Sequence, residues 1–483
     1  MVALFSCSAA YEAFTLSALT PPDVWVHLRT GVWMMHSHAI PRTALFSQYE
    51  QMRWNDSTWG FDLILGLGYS LFGLRAMPIL LIALKVAVGI TIFSLARVGR
   101  LSFWSAVLVG TVGQYVVPVR LLPYAFSILC FASELALLVR SRQTGSAKGL
   151  FWLPGLFAIW ANLHVQFVVG LVLLALFVIA GGIEAALRGF SDAWFSKRIA
   201  PLGMKQAGVV LGASILATLL NPYGYKLVPA AIHALYSPVG LEHFAEMSSM
   251  TFRRPQDFLL MMLVMMAFLA LGRRRSVEMF ELMALIAGTV AAFRIERDGW
   301  MAMLPAVAVI AGGFSDEHLE NRTRNRIFFS RESRIAAAIS VIVAVVCSLL
   351  FIPSPNALML RAGKSFPVKA CDFIRENKLP SPMFNAYSWG GFAAWYLREY
   401  PVVVDSRAEL YGDRILDKYF DIVGGKELLE SEPMVSHAGT LLLEKDSAMT
   451  KALTNLLALR SKYRLVYSDE IASVFVQQPD TNH

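Results

Sequence analysis

Apolar stretches of near-bilayer length recur along most of this 483-residue chain and constrain its fold more than any other feature. A membrane helix needs about 20 predominantly apolar residues, because every backbone polar group in the hydrocarbon must be bonded within the protein. Hydrophobic residues make up 56% of the chain and charged residues only 16%, so an ordinary soluble protein is excluded. The predicted spans are residues 1–19, 76–96, 101–119, 121–139, 149–160, 165–187, 206–220, 256–271, 277–293, 297–313 and 335–352.

The basic residues between these runs predict the topology. Strongly basic loops alternate along the chain, and the positive-inside rule places them in the cytoplasm. They lie at residues 97–100, 140–148, 188–205, 273–275 and 322–334. The alternation requires that residues 58–74 do not cross, but lie along the membrane or re-enter it from outside. Eleven crossings of the inner (plasma) membrane then put the N-terminus inside and the C-terminal tail outside. The net charge of +8 therefore reflects topology, and no nucleic-acid partner is expected.

The chain becomes more charged after residue 352. The apolar stretches Pro401–Asp405 and Ser473–Val476 predict strands, and residues 366–378 and 413–430 predict helices. We therefore expect two domains: a transmembrane domain over residues 1–352 and a small extracytoplasmic, periplasmic α/β domain over residues 353–483.

An acid, a histidine and an arginine follow the first apolar run, at Asp23, His27 and Arg29. Ionisable groups at a membrane edge are costly and are functional candidates by default. A helix starting after the preceding proline pair would show Asp23 and His27 on one face. The alternatives remain open: Asp23 as an N-cap, and Trp25 as an interfacial aromatic. Asp56 is either a second acid or, as we favour, the cap of a helix that begins near Trp59.

Further polar residues fall on the predicted outer side. Arg120 lies there against the positive-inside trend, and it suits a structural carboxylate partner or a lipid phosphate equally well. Asn162 and His164 interrupt an apolar region, where an internally bonded helix–loop–helix corner is the alternative to a binding role. Arg294 and Arg297 belong to a dense charge cluster that predicts either internal salt bridges or a phosphate clamp.

The longest external loop opens with a turn at Tyr223 and carries Glu242 and His243. The spacing of its histidines and glutamates matches no known metal-binding pattern, and the four cysteines are scattered, so no metal site is predicted. Phosphate-binding loops, dinucleotide-binding glycine patterns and kinase motifs are also missing from the sequence, so cytoplasmic nucleotide chemistry is not supported.

The run Asp23–Gly31, followed by Ile40–Pro41, Phe46–Ser47 and the tryptophans 54 and 59, resembles the N-terminal signature of a group of bacterial multi-spanning membrane proteins. These proteins are assigned to the GT-C type glycosyltransferases, alongside the polyprenyl-phosphate-mannose protein mannosyltransferase-like proteins. Later blocks resemble the same group, and together the blocks cover most of the chain. They lie at residues 160–164, 220–224, 385–391 and 404–412.

The resemblance implies a GT-C-like fold with about 11 transmembrane helices and membrane-parallel helices in the first external loop. It implies an integral membrane glycosyltransferase that moves a sugar from a polyprenyl-phosphate-linked donor to an extracytoplasmic glycan, lipid or protein. Asp23, with His27, would be catalytic, as general base or by orienting the acceptor or an assisting divalent cation. The expected substrate-binding residues are Trp25, Arg29, Asp56, Arg120, Asn162, His164, Tyr223, Glu242, His243, Arg294 and Arg297.

Two departures from the family pattern bear on catalysis. Related sequences often carry His-Glu before the tryptophan that corresponds to Trp59, whereas this chain has Ser57-Thr58. Better-known members also show paired acids in the first loop, so either Asp56 substitutes or catalysis is weakened. Two other functions therefore stay open: a transporter or flippase for a lipid-linked intermediate, and a non-catalytic assembly subunit in envelope polysaccharide synthesis.

Overall fold

The structure is a computed structural model, and it describes most of the chain. The described residues are 5, 18–117, 119–187, 204–236, 238–244, 247–274, 278–313, 350, 352–426 and 432–478. They form two compact units. We call Met1–Phe14, Leu81–Leu235 and Leu241–Ile352 the helical unit, and Thr15–Leu80, Tyr236–Gly240 and Pro353–His483 the mixed unit.

The described elements before residue 314 are all helices. They are α1 (Asp23–Ser37), α2 (Trp59–Phe72), α3 (Ala76–Val98), α4 (Phe103–Val116), α5 (Tyr124–Thr144), α6 (Leu153–Trp160), α7 (Phe167–Leu187), α8 (Met204–Ala217), α9 (Leu227–Tyr236), α10 (Pro238–His243), α11 (Pro255–Gly272), α12 (Met279–Arg294) and α13 (Trp300–Gly313).

The remaining elements alternate between helices and four short strands. They are α14 (Pro355–Ala362), α15 (Val368–Glu376), β1 (Met383–Asn385), α16 (Gly390–Tyr396), α17 (Ala408–Val423), α18 (Pro433–Ser436), β2 (Thr440–Glu444), α19 (Ala448–Asn455), α20 (Leu457–Lys462), β3 (Tyr463–Ser468) and β4 (Ala472–Gln477).

Four helical stretches among the described residues are long and apolar enough to cross a membrane: Trp59–Val98, Tyr124–Thr144, Phe167–Leu187 and Pro255–Gly272. The first includes both α2 and α3. Gly73, whose φ is 58°, ends α2. The 14 residues of α2 extend only about 21 Å, which is less than the ~30 Å of a hydrocarbon core. The predicted membrane character is confirmed, whereas the number of crossings stays a prediction, and most of the predicted spans 1–19 and 335–352 lies outside the described residues.

Buried ion pairs join helices inside the helical unit. Arg142 of α5 pairs with Glu184 of α7, which also accepts a hydrogen bond from the backbone N–H of Met279 at 3.1 Å. Arg274 pairs with Glu281 at 2.5 Å and donates to the carbonyl of Val309 at 2.6 Å. These two ion pairs therefore connect the ends of neighbouring helices.

A four-stranded sheet forms the centre of the C-terminal part of the mixed unit, as the predicted α/β character requires. Its strand order is β1-β2-β4-β3, with β1 parallel to β2 and the other pairs antiparallel. The predicted strand at residues 473–476 is confirmed as part of β4. The two predicted helices correspond to α15 and α17. A kink at Gly412, with φ 66°, divides α17, so its longer part follows Gly412 as predicted, and it ends at Val423.

The predicted strand at Pro401–Asp405 is wrong. This segment makes only an isolated bridge between Val402 and Ser47. Val402 donates its N–H to the carbonyl of Phe46 at 3.0 Å, while Val403 donates to Oδ1 of Asn385 at 2.9 Å. Pro401 has no N–H to contribute to a ladder, so the buried backbone is bonded to a loop and a side chain instead.

The first external loop, which comprises residues 20–75 between the predicted spans 1–19 and 76–96 and includes α1, is packed within the mixed unit. Trp25 is fully buried, with its ring centroid 5.0 Å from that of Phe392 and 4.7 Å from that of Trp395. The Gln48 backbone N–H donates to Val402 at 2.9 Å. Residues 15–80, which the sequence analysis assigned to the transmembrane domain, thus belong to the same compact unit as residues 353–483.

Candidate functional site

Helix α1 begins at Asp23, immediately after the proline pair. Pro22 occupies the N-cap position, and no side chain caps the helix. Asp23 therefore does not act as the N-cap, which removes the structural alternative weighed for it. Its carboxylate lies in the first helical turn and is half-buried.

His27 lies one turn further along α1 and is bonded to an acid of α2. Its Nδ1 is 2.7 Å from Oδ1 of Asp62, and the tautomer decides which of the two atoms donates the hydrogen bond. The Asp62 side chain is almost fully buried, and the imidazole packs edge-on against Phe61 with ring centroids 5.2 Å apart. The structure thus provides a second first-loop acid beside the predicted catalytic histidine.

Two glycines bring α1 and α2 close enough for this pair to form. A Cβ placed on Gly31 would lie 1.9 Å from the carbonyl oxygen of Asp62, and one on Gly66 would lie 2.4 Å from the backbone of Gly31. No side chain fits between backbones at such distances. The spacing of four residues from His27 to Gly31, and from Asp62 to Gly66, places the paired side chains one turn from the crossing.

Asp56 is fully buried just before α2. Its Oδ1 accepts hydrogen bonds from the backbone N–H and the hydroxyl of Thr58, both at 3.1 Å. The N-cap of α2 is Thr58 itself, so Asp56 holds the turn that leads into the helix rather than capping it. Helix α2 does begin at Trp59, as predicted.

A buried ion pair from the C-terminal part interacts with the residues around His27. We call His27, Asp56, Asp62, Arg407 and Glu409 the His27–Asp62 cluster. Arg407 donates from Nε and Nη2 to the two carboxylate oxygens of Asp405, at 2.9 and 2.6 Å. It also donates to the carbonyl of Leu45 at 2.8 Å and lies over the ring of Trp54, 4.7 Å from the centroid. These contacts attach the first loop to the region before α17.

Burial and neighbouring carboxylates shift the pKa values of this cluster. Burial lowers the pKa of His27, although the charges of Asp23 and Asp56 oppose that shift. Burial raises the pKa of Asp56 well above its usual value, and the charge of Asp62 raises it further. Burial likewise raises the pKa of Glu409, which interacts electrostatically with His27. Neutral forms of these groups are therefore favoured over a wider pH range than in water.

The other first-loop candidates have structural contacts. Trp25, expected to bind substrate, is a core residue whose Nε1 donates to the carbonyl of Leu19 at 3.2 Å. Because no part of its side chain is exposed, it cannot contact a substrate in this conformation. The guanidinium of Arg29 lies over the ring of Phe46, 4.5 Å from the centroid.

Asn162 and His164 make the contacts expected of a helix–loop–helix corner in the helical unit. Asn162 donates from Nδ2 to the carbonyls of Ala158 and Leu220, at 2.7 and 2.8 Å. Nδ1 of His164 is 2.8 Å from Oγ of Ser127. Both side chains therefore make hydrogen bonds within the helical unit, as the internally bonded corner requires.

The predicted charge cluster near residue 297 is partly paired within the helical unit. Nε of Arg297 lies 3.9 Å from Oδ1 of Asp298. The same carboxylate oxygen accepts a hydrogen bond from Nε2 of Gln166 at 2.8 Å. Arg294 is exposed at the end of α12, and Arg120 is exposed before α5. Arg294 and Arg120 thus have guanidinium groups at the surface of the unit, where the phosphate-binding prediction for them can be tested.

Tyr223 is buried in the turn that its sequence predicted, and its N–H donates to Oδ1 of Asn221 at 2.7 Å. Glu242 and His243 are exposed at the end of α10. Within the described part of the chain, no three histidine, cysteine, aspartate or glutamate side chains are arranged to hold a metal ion.

Asp62, Glu409 and Arg407 were not predicted from the sequence as members of the cluster. Asp62 had a recognisable signal, since it is the single carboxylate in the strongly apolar segment Trp59–Phe72. Glu409 and Arg407 lie in the block 404–412 that carried the family resemblance. Their approach to the first loop, more than 340 positions away in the sequence, has no local sequence signal.

The fold is similar to that of solved structures of an oligosaccharyltransferase and of ArnT. An oligosaccharyltransferase AglB of Archaeoglobus fulgidus, solved with an inhibitory peptide and a dolichol-phosphate, aligns with a TM-score of 0.57 at 13% identity, over 96% of this chain and 72% of that chain. A structure of the A. fulgidus oligosaccharyltransferase tethered to an acceptor peptide aligns with a TM-score of 0.54 at 15% identity, over 99% and 74%. ArnT of Cupriavidus metallidurans, bound to undecaprenyl phosphate, aligns with a TM-score of 0.50 at 14% identity, over 99% and 98%.

No family model matches the sequence, and no curated protein matches it. At identities of 13–15% the likeness concerns the fold. The predicted GT-C-like fold is confirmed, while the bacterial and mannosyltransferase-like assignment stays a prediction.

Proposed function

We propose that this protein is an integral membrane glycosyltransferase that transfers a sugar from a polyprenyl-phosphate-linked donor to an extracytoplasmic acceptor. The fold supports the proposal, since AglB and ArnT were solved with dolichol-phosphate and undecaprenyl phosphate. The observation that carries it is the His27–Asp62 pair at 2.7 Å, whose histidine lies on the same helix as Asp23. This pair supports the proposal, because Asp62 adds a second carboxylate to the first external loop.

In the proposed reaction, an acceptor hydroxyl oxygen forms a bond to the anomeric carbon of the donor sugar. The bond from that carbon to the phosphate oxygen breaks, and the polyprenyl phosphate leaves with the electron pair. The proton of the acceptor hydroxyl passes to the Asp23 carboxylate, which acts as general base. A phosphate is already a good leaving group, so the protein gains most by holding donor and acceptor in line.

His27 and Asp62 take a positioning role in this proposal. The lowered pKa of His27 favours a neutral imidazole, which cannot neutralise the charge of Asp23 as an imidazolium would. The hydrogen bond to Asp62 fixes the ring orientation. Asp23 therefore stays available as a base on a rigid helix.

The donor phosphate needs cationic partners, and Arg120, Arg294 and Arg297 of the helical unit remain our candidates. A guanidinium offers paired N–H donors that match phosphate oxygens. Their removal should raise the KM for the lipid donor more than it lowers kcat. We further propose the eleven-crossing topology in the plasma membrane, with residues 353–483 outside the cytoplasm.

A divalent cation is an optional component of the proposal. The buried carboxylates of Asp56 and Asp62 lie near His27, but they do not form a group arranged for metal ligation within the described residues. We therefore derive no step through a metal ion. Activity measured with and without a chelator will decide whether one assists.

The central test uses membranes that contain the protein and a radiolabelled polyprenyl-phosphate sugar. Asp23→Asn removes the base with almost no change in shape, so transfer of label from the carrier should fall about 10²–10⁴-fold. Asp417→Asn, at an exposed position of α17, is the matched control and should transfer normally. Full activity of Asp23→Asn would refute the proposed role. A flippase would move the labelled donor across vesicles without consuming it, and a non-catalytic subunit would leave it unchanged when purified.

A further inference from the structure

A cavity of about 490 Å³ lies within the mixed unit, beside the start of α1. Pro22 forms part of its wall. Most of the rest comes from residues just before α15, just after β1, in the turn that follows β2 and in the turn that precedes β4: Ser365, Phe366, Ser388, Trp389, Glu444, Lys445, Asp446, Ser447, Glu470 and Ile471. The volume falls in the ~300–1,000 Å³ range of small-molecule sites. The cavity shares no lining residue with the His27–Asp62 cluster, so it is a separate feature of this unit.

Hydrogen bonds fix the walls of this cavity. Oγ of Ser388 donates to Oε1 of Glu444 at 2.6 Å, where β2 ends. The N–H of Lys445 donates to the carbonyl of Ile471 at 2.8 Å, which joins the two turns. Ser447 then caps α19 by accepting the N–H of Thr450 at 3.1 Å. These bonds connect the protein groups of the wall to one another, so the wall is held in place by the protein itself.

The charges of the lining oppose an anionic ligand. Glu444, Asp446 and Glu470 line the cavity and are exposed, and Lys445 is the one basic side chain among its lining residues. The carboxylates and the serine hydroxyls offer many hydrogen-bond acceptors. A ligand with hydroxyl or amino groups can donate to them, whereas a phosphate or carboxylate would meet like charge.

We propose that this cavity is an acceptor subsite that binds a saccharide bearing hydroxyl or amino groups and no anionic group. The inference rests on the proposed function, because Pro22 lines the cavity and directly precedes Asp23. An acceptor held here presents its hydroxyl beside the first turn of α1. That oxygen gains the anomeric carbon and gives its proton to Asp23, while the carrier phosphate departs with the electrons of the broken bond.

The experiment measures binding of three oligosaccharide probes to the full-length protein in detergent by isothermal titration calorimetry. The probes are the trimers of glucosamine, N-acetylglucosamine and galacturonic acid, which are cationic, neutral and anionic. We expect the first two to bind and the third not to bind. In the double variant Glu444→Gln/Glu470→Gln, affinity for the glucosamine trimer should fall about tenfold, because charge-assisted hydrogen bonds are lost.

Glu376→Gln/Glu399→Gln is the matched control, since both glutamates are exposed in the same unit and outside the cavity. The amide oxygen introduced by Glu444→Gln can still accept the hydrogen bond from Ser388, so the cavity variant should fold. Equal affinity of the cavity variant and wild type, binding of the galacturonate trimer, or no binding of any trimer would overturn the inference. Because the measurement needs no donor, it is independent of sugar transfer. Sugar transfer by Asp23→Asn is measured separately with the labelled donor, so failure of the proposed function and failure of the cavity to bind the probes are distinguishable.

Discussion

The hydrogen bond between His27 and Asp62 predicts coupled effects of substitution. If Asp62 acts by orienting the imidazole of His27, removing either side chain breaks the same hydrogen bond. We expect His27→Ala and Asp62→Asn each to slow sugar transfer, and the double variant to be little slower than the worse single variant. A coupling of about 0.5–3 kcal/mol is typical of residues in direct contact.

The measurement is a double-mutant cycle on kcat with the labelled lipid donor. Asp417→Asn combined with His27→Ala supplies the control, because an exposed residue of α17 should show additive behaviour. Strictly additive losses for the His27 and Asp62 variants would show that the pair does not act as a unit.

The buried carboxyl of Asp56 predicts a pH-dependent stability difference. Its pKa is raised well above the usual value by burial and by Asp62, so the folded protein keeps the proton to higher pH than the unfolded chain does. The corresponding stabilisation is complete below the unfolded pKa and is lost as pH rises through the folded one. Asp56→Asn cannot ionise, and its Oδ1 can still accept from Thr58.

The thermal midpoint of Asp56→Asn minus that of wild type should therefore increase as the pH rises above about 4, the ordinary carboxyl pKa of aspartate. Asp417→Asn, at an exposed site, should show a nearly constant difference over the same range. A difference that shrinks with rising pH would mean that Asp56 is stabilised as a carboxylate, for example by a cation.

The sequence predicted this site in part at the scale of residues. Asp23 and His27 were found because polar groups at a membrane edge are conspicuous, and α1 does place them on one helix. Trp25 was misjudged, since a tryptophan near a membrane looks interfacial until its neighbours Phe392 and Trp395 are known. Distant partners of this kind leave no local pattern.

At the scale of elements, the crossing of α1 and α2 depends on two glycines. A Cβ on Gly31 would be 1.9 Å from the Asp62 carbonyl oxygen, and one on Gly66 would be 2.4 Å from Gly31. Gly31→Ala or Gly66→Ala must therefore push the helices apart, at a cost of about 1–3 kcal/mol. The separation would also break the His27–Asp62 hydrogen bond, so activity should fall together with the thermal midpoint.

Gly182→Ala in α7 is the matched control, because a Cβ there meets no atom within 4 Å. Alanine is the better helix former, so this variant should be neutral or slightly stabilised. Unchanged activity and stability of Gly31→Ala would show that the two helices are not closely packed in solution.

Elements were predicted well where periodicity or apolar length determines them. The stretches 76–96, 121–139, 165–187 and 256–271 correspond to α3, α5, α7 and α11 within a few residues. The segment 401–405 was misassigned because its run of three valines reflects burial against the first loop and Asn385 rather than a ladder. A short apolar run indicates burial on both faces, and it does not identify the partner that buries them.

At the scale of the whole molecule, residues 353–483 depend on the first loop. Trp25 inserts among Phe366, Phe392 and Trp395, and it is fully buried there. The backbone of Val402 is bonded to Phe46 and Gln48, and Arg407 reaches the carbonyl of Leu45. A fragment cut at residue 353 would leave these aromatic side chains and buried polar groups without partners.

We therefore expect a separately expressed 353–483 fragment to aggregate, or to bind a hydrophobic dye and unfold without a cooperative transition. In the full chain, Trp25→Ala should cost about 3–5 kcal/mol of stability, as large buried aromatics do. Trp152→Ala, at a position that is 75% exposed, is the control and should change stability little. A soluble, monomeric fragment with a sharp thermal transition would show instead that residues 353–483 fold independently and that the first loop only docks onto them.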